Sequence, residues 1–276
     1  MAAERLTVAL VQMRSGTHPA QNIHDACAMI RDAAGQGAQL VCTPENTALM
    51  QRDRQAWLHS LHAEDDDPAL PAFCALAQEL GITLLIGSLA IRVAPDKAAN
   101  RSFVIGPDGA IIARYDKIHL FDVAINERET WHESDFIRPG DKAVIADMGA
   151  AKLGLSICYD LRFAALYRAL AKAGANVLTV PSAFTRVTGR AHWQVLLRAR
   201  AIECGAYVLA PAQGGVHEDG RRTWGHSMII GPWGEIVAAL DDDAPGLLLA
   251  ELDLQKTASA RKRIPALRHD REFTGP

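Results

Sequence analysis

Apolar residues in this chain fall into short blocks separated by stretches with helical spacing, and the two alternate from one end to the other. The block at 6–13 reads as a strand, the spacing over 20–35 as a helix, and the block at 39–43 as a buried strand. A helix over 69–80 and one long strand over 82–93 follow. A hairpin at 101–112 then turns at Pro107-Asp108-Gly109, residue types that supply a fixed φ and a positive φ where a tight turn needs them. A polar loop spans 121–142. Beyond it the pattern predicts a strand at 152–157, a helix at 164–173, a strand at 176–181, a helix at 192–205, a strand at 207–211, a hairpin at 227–240 and a strand at 247–252.

The two hairpins repeat each other. Ser102-Phe103-Val104-Ile105-Gly106-Pro107-Asp108-Gly109 and Ser227-Met228-Ile229-Ile230-Gly231-Pro232-Trp233-Gly234 share the serine, the apolar run and Gly-Pro-x-Gly, and each is followed by an outgoing apolar pair. Gly and Pro recur in unrelated turns for steric reasons. The shared order of strands and helices around these hairpins favours duplication, with two βα halves whose sheets pack face to face under outer helices.

Composition adds bounds. The chain has 276 residues, 49% of them hydrophobic, enough to bury the core of a single α/β domain over 1–276. Residues 261–276 form a basic, Pro-broken tail, expected to cross to a partner subunit or to fray. A formal net charge of −3 gives no footprint for nucleic acid or an acidic membrane surface. Five irregularly spaced cysteines argue against a disulfide framework and for a reducing compartment. The first residues lack a signal-peptide core, and no stretch approaches the ~20 apolar residues of a membrane span, so the expected location is cytoplasmic. The acidic runs 65–67 and 241–243 read as solvated loops, and the scattered histidines lack the spaced carboxylate partners of a zinc site. No metal and no cofactor are expected. His119, His192 and His226 read as structural, hydrogen-bonded histidines.

Chemistry enters at Cys158. It ends the apolar run Lys152–Ser156–Ile157 and is followed at once by Tyr159-Asp160-Leu161-Arg162-Phe163 and a helix. A thiol at a strand-to-helix junction points out of the sheet where N–H groups converge, and a helix N-terminus favours thiolate. Cys27, Cys42, Cys74 and Cys204 sit in apolar or Ala-rich stretches and read as packing residues. Two other segments end on charges: the strand at 39–43 runs into Glu45, and the strand after Gly109 runs into Lys117. Acyl transfer needs a nucleophile, a proton carrier and donors for an oxyanion. Cys158 supplies the first, Glu45 the second, and Lys117 with the Tyr159 N–H the third. On this reading Lys117 lowers the thiol pKa, and desolvation raises that of Glu45 toward neutrality. A silent binding or scaffolding protein would have no need of such a set.

Pro44-Glu45-Asn46, Tyr115-Asp116-Lys117-Ile118-His119 and Gly154-Leu155-Ser156-Ile157-Cys158-Tyr159-Asp160-Leu161-Arg162-Phe163 together resemble the Glu-Lys-Cys signature of the nitrilase superfamily of carbon–nitrogen hydrolases. The resemblance covers nearly the whole chain. It implies an α-β-β-α sandwich, a cysteine thioester intermediate and a second glutamate ahead of Pro139-Gly140. Glu133 fits that place, with Glu127 and Glu129 as alternatives. The stretch from Pro181 through Phe184, Thr188, His192 and Trp193 to Glu203, with Gly225-His226-Ser227, is similar to the branch of deaminated glutathione amidases and omega-amidases. One departure is Ala164, where the family usually has proline. The branch implies a small amide with a 2-oxoglutaryl acyl half, whose leaving group is cysteinylglycine or ammonia. Other nitrile or carbamoyl-amide hydrolases stay open. Arg162, Arg186 and Arg190 are candidate donors to the substrate carboxylate, Arg162 first, with Phe184 and Thr188 as pocket residues. The family also implies a homodimer or higher homo-oligomer, through the helix after the nucleophile and the helix at 192–205.

Overall fold

Alternate residues of the first strand, β1 (Arg5–Gln12), enter two different cores. Val8 and Leu10 pack into one, Ala9 and Val11 into the other. A strand buried on both faces has no polar side to show, which is why its sequence reads as an unbroken apolar block. The structure is a computed structural model and describes residues 5–126 and 129–276.

After β1 come α1 (Pro19–Gly35), opened by a proline whose missing N–H no helical bond requires, and β2 (Leu40–Cys42). Next are α2 (Arg54–His59), capped by the Asp53 carboxylate on the Ala56 N–H at 2.8 Å, and α3 (Ala69–Leu80). Strands β3 (Thr83–Ala94), β4 (Lys97–Ile105) and β5 (Ile111–Asp116) complete the first sheet's run. A small ribbon, β6 (Asp122–Asn126) with β7 (Glu129–His132), stands inside the segment expected to be a loop. The second sheet draws on β8 (Ile145–Met148), β9 (Ala151–Leu155), β10 (Val177–Thr179) and β11 (Tyr207–Ala210), with α4 (Ala164–Lys172) and α5 (Arg186–Cys204) between them. A ribbon of β12 (Gly214–Val216) and β13 (Arg222–Trp224) precedes β14 (Met228–Ile230) and β15 (Ile236–Ala239). Strand β16 (Gly246–Asp253) and α6 (Gln255–Arg263) end the regular elements.

Each large sheet has six strands, ordered β16-β1-β2-β3-β4-β5 and β15-β14-β11-β10-β9-β8. In both, three central parallel strands are joined on one side by a single antiparallel strand and on the other by an antiparallel hairpin. The two sheets therefore share strand order and direction, with β16 joining the first from the end of the chain where β8 precedes β9 in the second. The hairpins agree down to the bond: Gly106 N–H to Ala110 and Gly231 N–H to Glu235 are both 2.8 Å. Register slips between Val104 and Ile105 in one and between Ile229 and Ile230 in the other, at matching positions. Gly109 and Gly234 take φ of 80° and 85°, which the turn demands and a Cβ resists. Inward residues of both sheets form one core, while α1 and α3 cover the outer face of the first sheet and α4 and α5 that of the second. This is the expected four-layer α-β-β-α sandwich.

The expected elements shift in three places. The 192–205 helix begins at Arg186, because Thr185 caps it by accepting the Thr188 N–H at 3.3 Å. Strand β8, the β12–β13 ribbon and helices α2 and α6 are additional. The tail does not fray from 261: Arg261 lies in α6 and donates to the Cys204 and Ala175 carbonyls, and Asp270 pairs with Arg168 and Lys172 of the same chain.

One glycine shows how tightly the first sheet is built around the coming site. A Cβ on Gly87 of β3 would lie 2.2 Å from the Thr43 carbonyl oxygen and 2.4 Å from that of Pro44, both rigid backbone. Gly87→Ala should cost about 2 kcal/mol and lower the thermal midpoint by about 4–8 °C. It should also reduce activity by displacing Glu45, which thermal melts and rate measurements on one preparation would show.

Candidate active site

Glu45, Lys117 and Cys158 arrive from three strand ends. Glu45 follows β2 in a turn locked from several directions. Thr43 Oγ1 meets Thr47 Oγ1 at 2.7 Å and accepts the Gly87 N–H at 3.0 Å, and Asn46 N–H donates to Ser88 Oγ at 2.9 Å. Asn46 takes φ of 57°, a left-handed conformation that asparagine tolerates better than most residues. Gln213 Nε2 bonds the Glu45 and Asn46 carbonyls at 3.1 and 3.2 Å. Lys117 directly follows β5, its N–H on the Asn100 carbonyl at 3.0 Å and its carbonyl accepting from Gly140 at 2.8 Å. The forked pair of Arg101 on Asp116, at 2.6 and 2.9 Å, braces the preceding residue.

Cys158 sits on an elbow after β9, at φ of 51°. A non-glycine residue in that region is strained and persists only where its surroundings hold it. They do: Cys158 N–H donates to Pro181 at 2.9 Å, and the fully buried Asp160 accepts from the N–H groups of Ile157 (2.9 Å) and His119 (3.0 Å). Asp160 also takes the Tyr115 hydroxyl and His119 Nδ1, each at 2.7 Å. The lysine segment and the cysteine elbow thus share one buried carboxylate, and His119 serves structure.

The side chains converge. Lys117 Nζ lies 3.0 Å from Glu45 Oε1 and 3.0 and 2.9 Å from the two Glu133 oxygens, with its side chain 2% exposed. Glu133, in a short 3-10 turn after β7, also accepts the Phe121 N–H at 2.6 Å. Glu133, expected as the second glutamate, thus meets Lys117 directly; Glu127 lies outside the described residues. Glu45 accepts Asn100 Nδ2 at 2.9 Å and, on its other oxygen, the Ala183 N–H at 2.9 Å. Its carboxylate is near enough to the Cys158 thiol for each group to shift the other's protonation.

Protonation differs from the sequence expectation. Burial works to raise the Glu45 carboxyl, but the Lys117 charge and the bonds from Cys158, Lys117 and Asn100 outweigh it and hold it below its ordinary value. Burial and the neighbouring Glu45 charge push the Cys158 thiol well up, against the smaller opposing pull of Lys117 and the Ala183 N–H. Lys117 loses to burial but gains more from Glu133 and Glu45, and stays charged. The resting arrangement is an ionised base beside a protonated thiol, not a thiolate. Such a pair can move one proton from sulfur to carboxylate as a bond to sulfur forms.

Above these groups opens a cavity of about 1170 Å³. Tyr159, Phe184, Thr188, Arg186 and Arg190 line it with Glu45, Lys117, Glu133 and Cys158. Arg162 does not. Its guanidinium lies over the Tyr159 and Phe184 rings, 5.6 Å from each, and 3.3 Å from His192 Nδ1, so it backs the aromatic wall. His192 and His226 also stay out of the lining. Sequence reasoning missed Asn100, Ala183 and Gln213. Asn100 stands one residue ahead of the expected hairpin beside Arg101 and Ser102 and gave no signal, and a backbone N–H leaves none. Among the described residues no three His, Cys, Asp or Glu side chains gather as a metal site, and no helix is long and apolar enough to cross a membrane.

A buried Glu-Lys-Cys cluster at the strand ends of a four-layer sandwich defines a carbon–nitrogen bond hydrolase. The carbon-nitrogen hydrolase family model matches residues 7–262, and the chain belongs to that family. A deaminated glutathione amidase of Yersinia enterocolitica is 40% identical over 270 residues, 96% of this chain and 92% of the relative. A human omega-amidase is 35% identical over 266 residues, 96% of this chain and 94% of the relative. The crystal structure of the C. elegans NitFhit protein superposes with a TM-score of 0.90 at 35% identity, over 98% of this chain and 66% of that one.

Asn100 offers a test of how Glu45 is held. Asn100→Ala removes one donor to the carboxylate, so its pKa should rise. The charged form is then lost at a higher pH as the solution is acidified. The acidic limb of the kcat/KM profile should move upward while the plateau falls about 10-fold or less; an unmoved limb would show that Asn100 does not set the base.

Proposed function

We propose that the protein hydrolyses deaminated glutathione to 2-oxoglutarate and cysteinylglycine through a thioester on Cys158. The observation that carries this reading is the cavity. At about 1170 Å³ it exceeds the ~300–1,000 Å³ typical of drug-sized ligands. Among the described residues it is lined by seven cationic residues and three acidic ones, in a chain whose formal net charge is −3. Room for a tripeptide-sized molecule and an excess of positive charge suit a dianion with a carboxylate at each end. The Yersinia relative carries the corresponding name.

In the proposed mechanism Cys158 Sγ attacks the amide carbonyl as Glu45 takes the thiol proton. Lys117 and the Tyr159 N–H receive the oxyanion. Glu45 then gives the proton to the departing nitrogen, the C–N bond breaks, and the thioester remains. Water attacks it with Glu45 again as base, releasing the acid and restoring the thiol. Glu133 keeps Lys117 oriented and charged. Phe184 and Thr188 form the wall beside the acyl half, and Arg190 is the leading donor to its 2-oxo acid end, since Arg186 is already paired with Asp243.

A second reading, hydrolysis of 2-oxoglutaramate, is favoured by the 35% identity to the human omega-amidase. Both substrates give the same acyl enzyme, so following 2-oxoglutarate release from each separates them directly. Deaminated glutathione should be preferred in kcat/KM; preference for 2-oxoglutaramate would overturn the first reading. Cys158→Ala and Glu45→Gln should fold and lose at least ~10³-fold in rate on either substrate.

The enzyme is further proposed to work in the cytoplasm, a reading its five free cysteines support, and to self-associate through the face of α4 and α5. Val195 and Ile202 of α5 are 68% and 55% exposed, and Trp233 and Ile236 of the second hairpin are also uncovered. Light scattering at micromolar concentration should return at least twice the chain mass, and Val195→Glu should lower it; a monomer in the unaltered protein would overturn the proposal.

A further inference from the structure

Three segments distant in sequence meet at Trp131, on the wall of the cavity shared with Cys158. The guanidinium of Arg221, from the start of the β13 ribbon, lies 5.5 Å from the Trp131 ring centroid. That of Arg52, from the loop before α2, lies 5.8 Å from it. A ring face favours a cation. Two cations on one ring also repel each other, and Asp219, with Glu45 and Glu133 beyond it, offsets part of the Arg221 charge. Among the described residues the Arg52 guanidinium has neither an ion pair nor a hydrogen bond. Arg221 donates from Nη2 to the Gln51 carbonyl at 2.9 Å. Its Nε lies 2.9 Å from Asp219 Oδ2, yet the two are misaligned and both atoms are left without a hydrogen bond. Both guanidinium groups line the cavity beside the ring, and among the described residues the Arg52 donors and Arg221 Nη1 make no hydrogen bond to protein, an arrangement suited to a carboxylate.

We infer that Arg221 and Arg52, held on Trp131, form the subsite for a carboxylate on the leaving half of the substrate. The inference rests on the substrate reading above and assigns the end of the cavity that reading leaves open. Trp131 is two residues from Glu133 on the β6–β7 ribbon, which places the cluster on the side of the two glutamates. There the departing nitrogen must face Glu45 to receive its proton. The acyl half lies toward Phe184, Thr188 and Arg190, beside the Ala183 N–H. In deaminated glutathione the leaving half ends in a glycyl carboxylate, and in 2-oxoglutaramate it is ammonia and carries none. The clamp is therefore a specificity device that selects an acidic amine half.

The test compares Arg221→Gln and Arg52→Gln with the unaltered enzyme on three amides: deaminated glutathione, the same molecule with its glycyl carboxyl capped as an amide, and 2-oxoglutaramate. Loss of a charge-assisted contact should raise KM for deaminated glutathione about 10- to 100-fold with kcat nearly kept. The capped substrate should start with a similarly raised KM and respond little to either substitution. The ratio of rates on deaminated glutathione and 2-oxoglutaramate should fall correspondingly. Arg52 is exposed and makes no structural bond, so its variant carries the test even if Arg221→Gln folds poorly. Equal losses on capped and free substrates, or no loss on the free acid, would overturn the subsite while leaving the substrate reading intact. An unaltered enzyme inactive on deaminated glutathione but active on 2-oxoglutaramate would overturn the substrate reading, and this inference with it.

Discussion

The structure depends on an ammonium group held away from water between two carboxylates. Removing Lys117 from solvent is expensive, and one partner would not offset it unless its other lone pairs were also met. Glu133 offers both oxygens, Glu45 a third, and each glutamate is itself fixed by backbone N–H groups from Phe121 and Ala183. Breaking one contact leaves a buried charge exposed to low dielectric, so the members stand or fall together. They come from the first sheet, the ribbon and the loop after β10. The cluster therefore ties the register of one sheet to the position of the other, and catalytic geometry and fold specificity become one constraint.

The duplicated scaffold explains how such a cluster can be asymmetric. Val8, Leu40 and Thr83 lie in register across β1, β2 and β3, as Leu153, Val177 and Tyr207 do across β9, β10 and β11. Counting from those rows, Pro44 matches Pro181, Glu45 matches Ser182, and Met13 matches Cys158. Strand ends of parallel sheets leave backbone groups and loops free to hold a ligand, so each half presents the same raw site. One half fills it with Glu45, the proposed base, and the other with Cys158, the proposed nucleophile. Face-to-face packing then brings the two across a single gap. The topology builds two equivalent rims, and side-chain choice makes one reaction centre from them.

What could be read from the sequence follows from what a linear pattern encodes. Continuous apolar runs marked the buried strands, and the Gly-Pro-x-Gly turns marked both hairpins, because those constraints are local. Glu45, Lys117 and Cys158 were legible since each interrupts an apolar run at its end. The first turns of α5 were not: Thr185 to Gly189 carry β-branched residues and a glycine, so the helix there rests on the Thr185 cap and on packing. Gly189 has no room for a side chain, with Trp224 atoms 2.3 and 2.4 Å from where a Cβ would stand. Asn100 looked like any polar strand residue, and its role appears only when β4 lies beside β5. The loop from 121 to 142 read as polar because β6 and β7 form a two-stranded ribbon without a core of their own.

Electrostatics is where the linear reading and the folded protein part most clearly. A thiol before a helix suggests a thiolate, but the segment after Cys158 is a 3-10 turn, and the regular helix begins only at Ala164. A short turn aligns few peptide dipoles, and the effect falls off within a turn of the terminus. Burial and the Glu45 charge face no comparable opposing field. Lys117 does not reverse the balance because its charge is already shared between two carboxylates. The Lys117 charge and the bonds that Lys117 and Asn100 donate to Glu45 keep that carboxylate ionised. Proton transfer from sulfur to Glu45 is then unfavourable at rest and becomes favourable only as a carbonyl carbon takes the sulfur lone pair. A thiol held in its protonated form is less open to oxidants, which attack thiolates. In the proposed mechanism it reacts where an acyl group is seated against it, so activation is coupled to substrate binding.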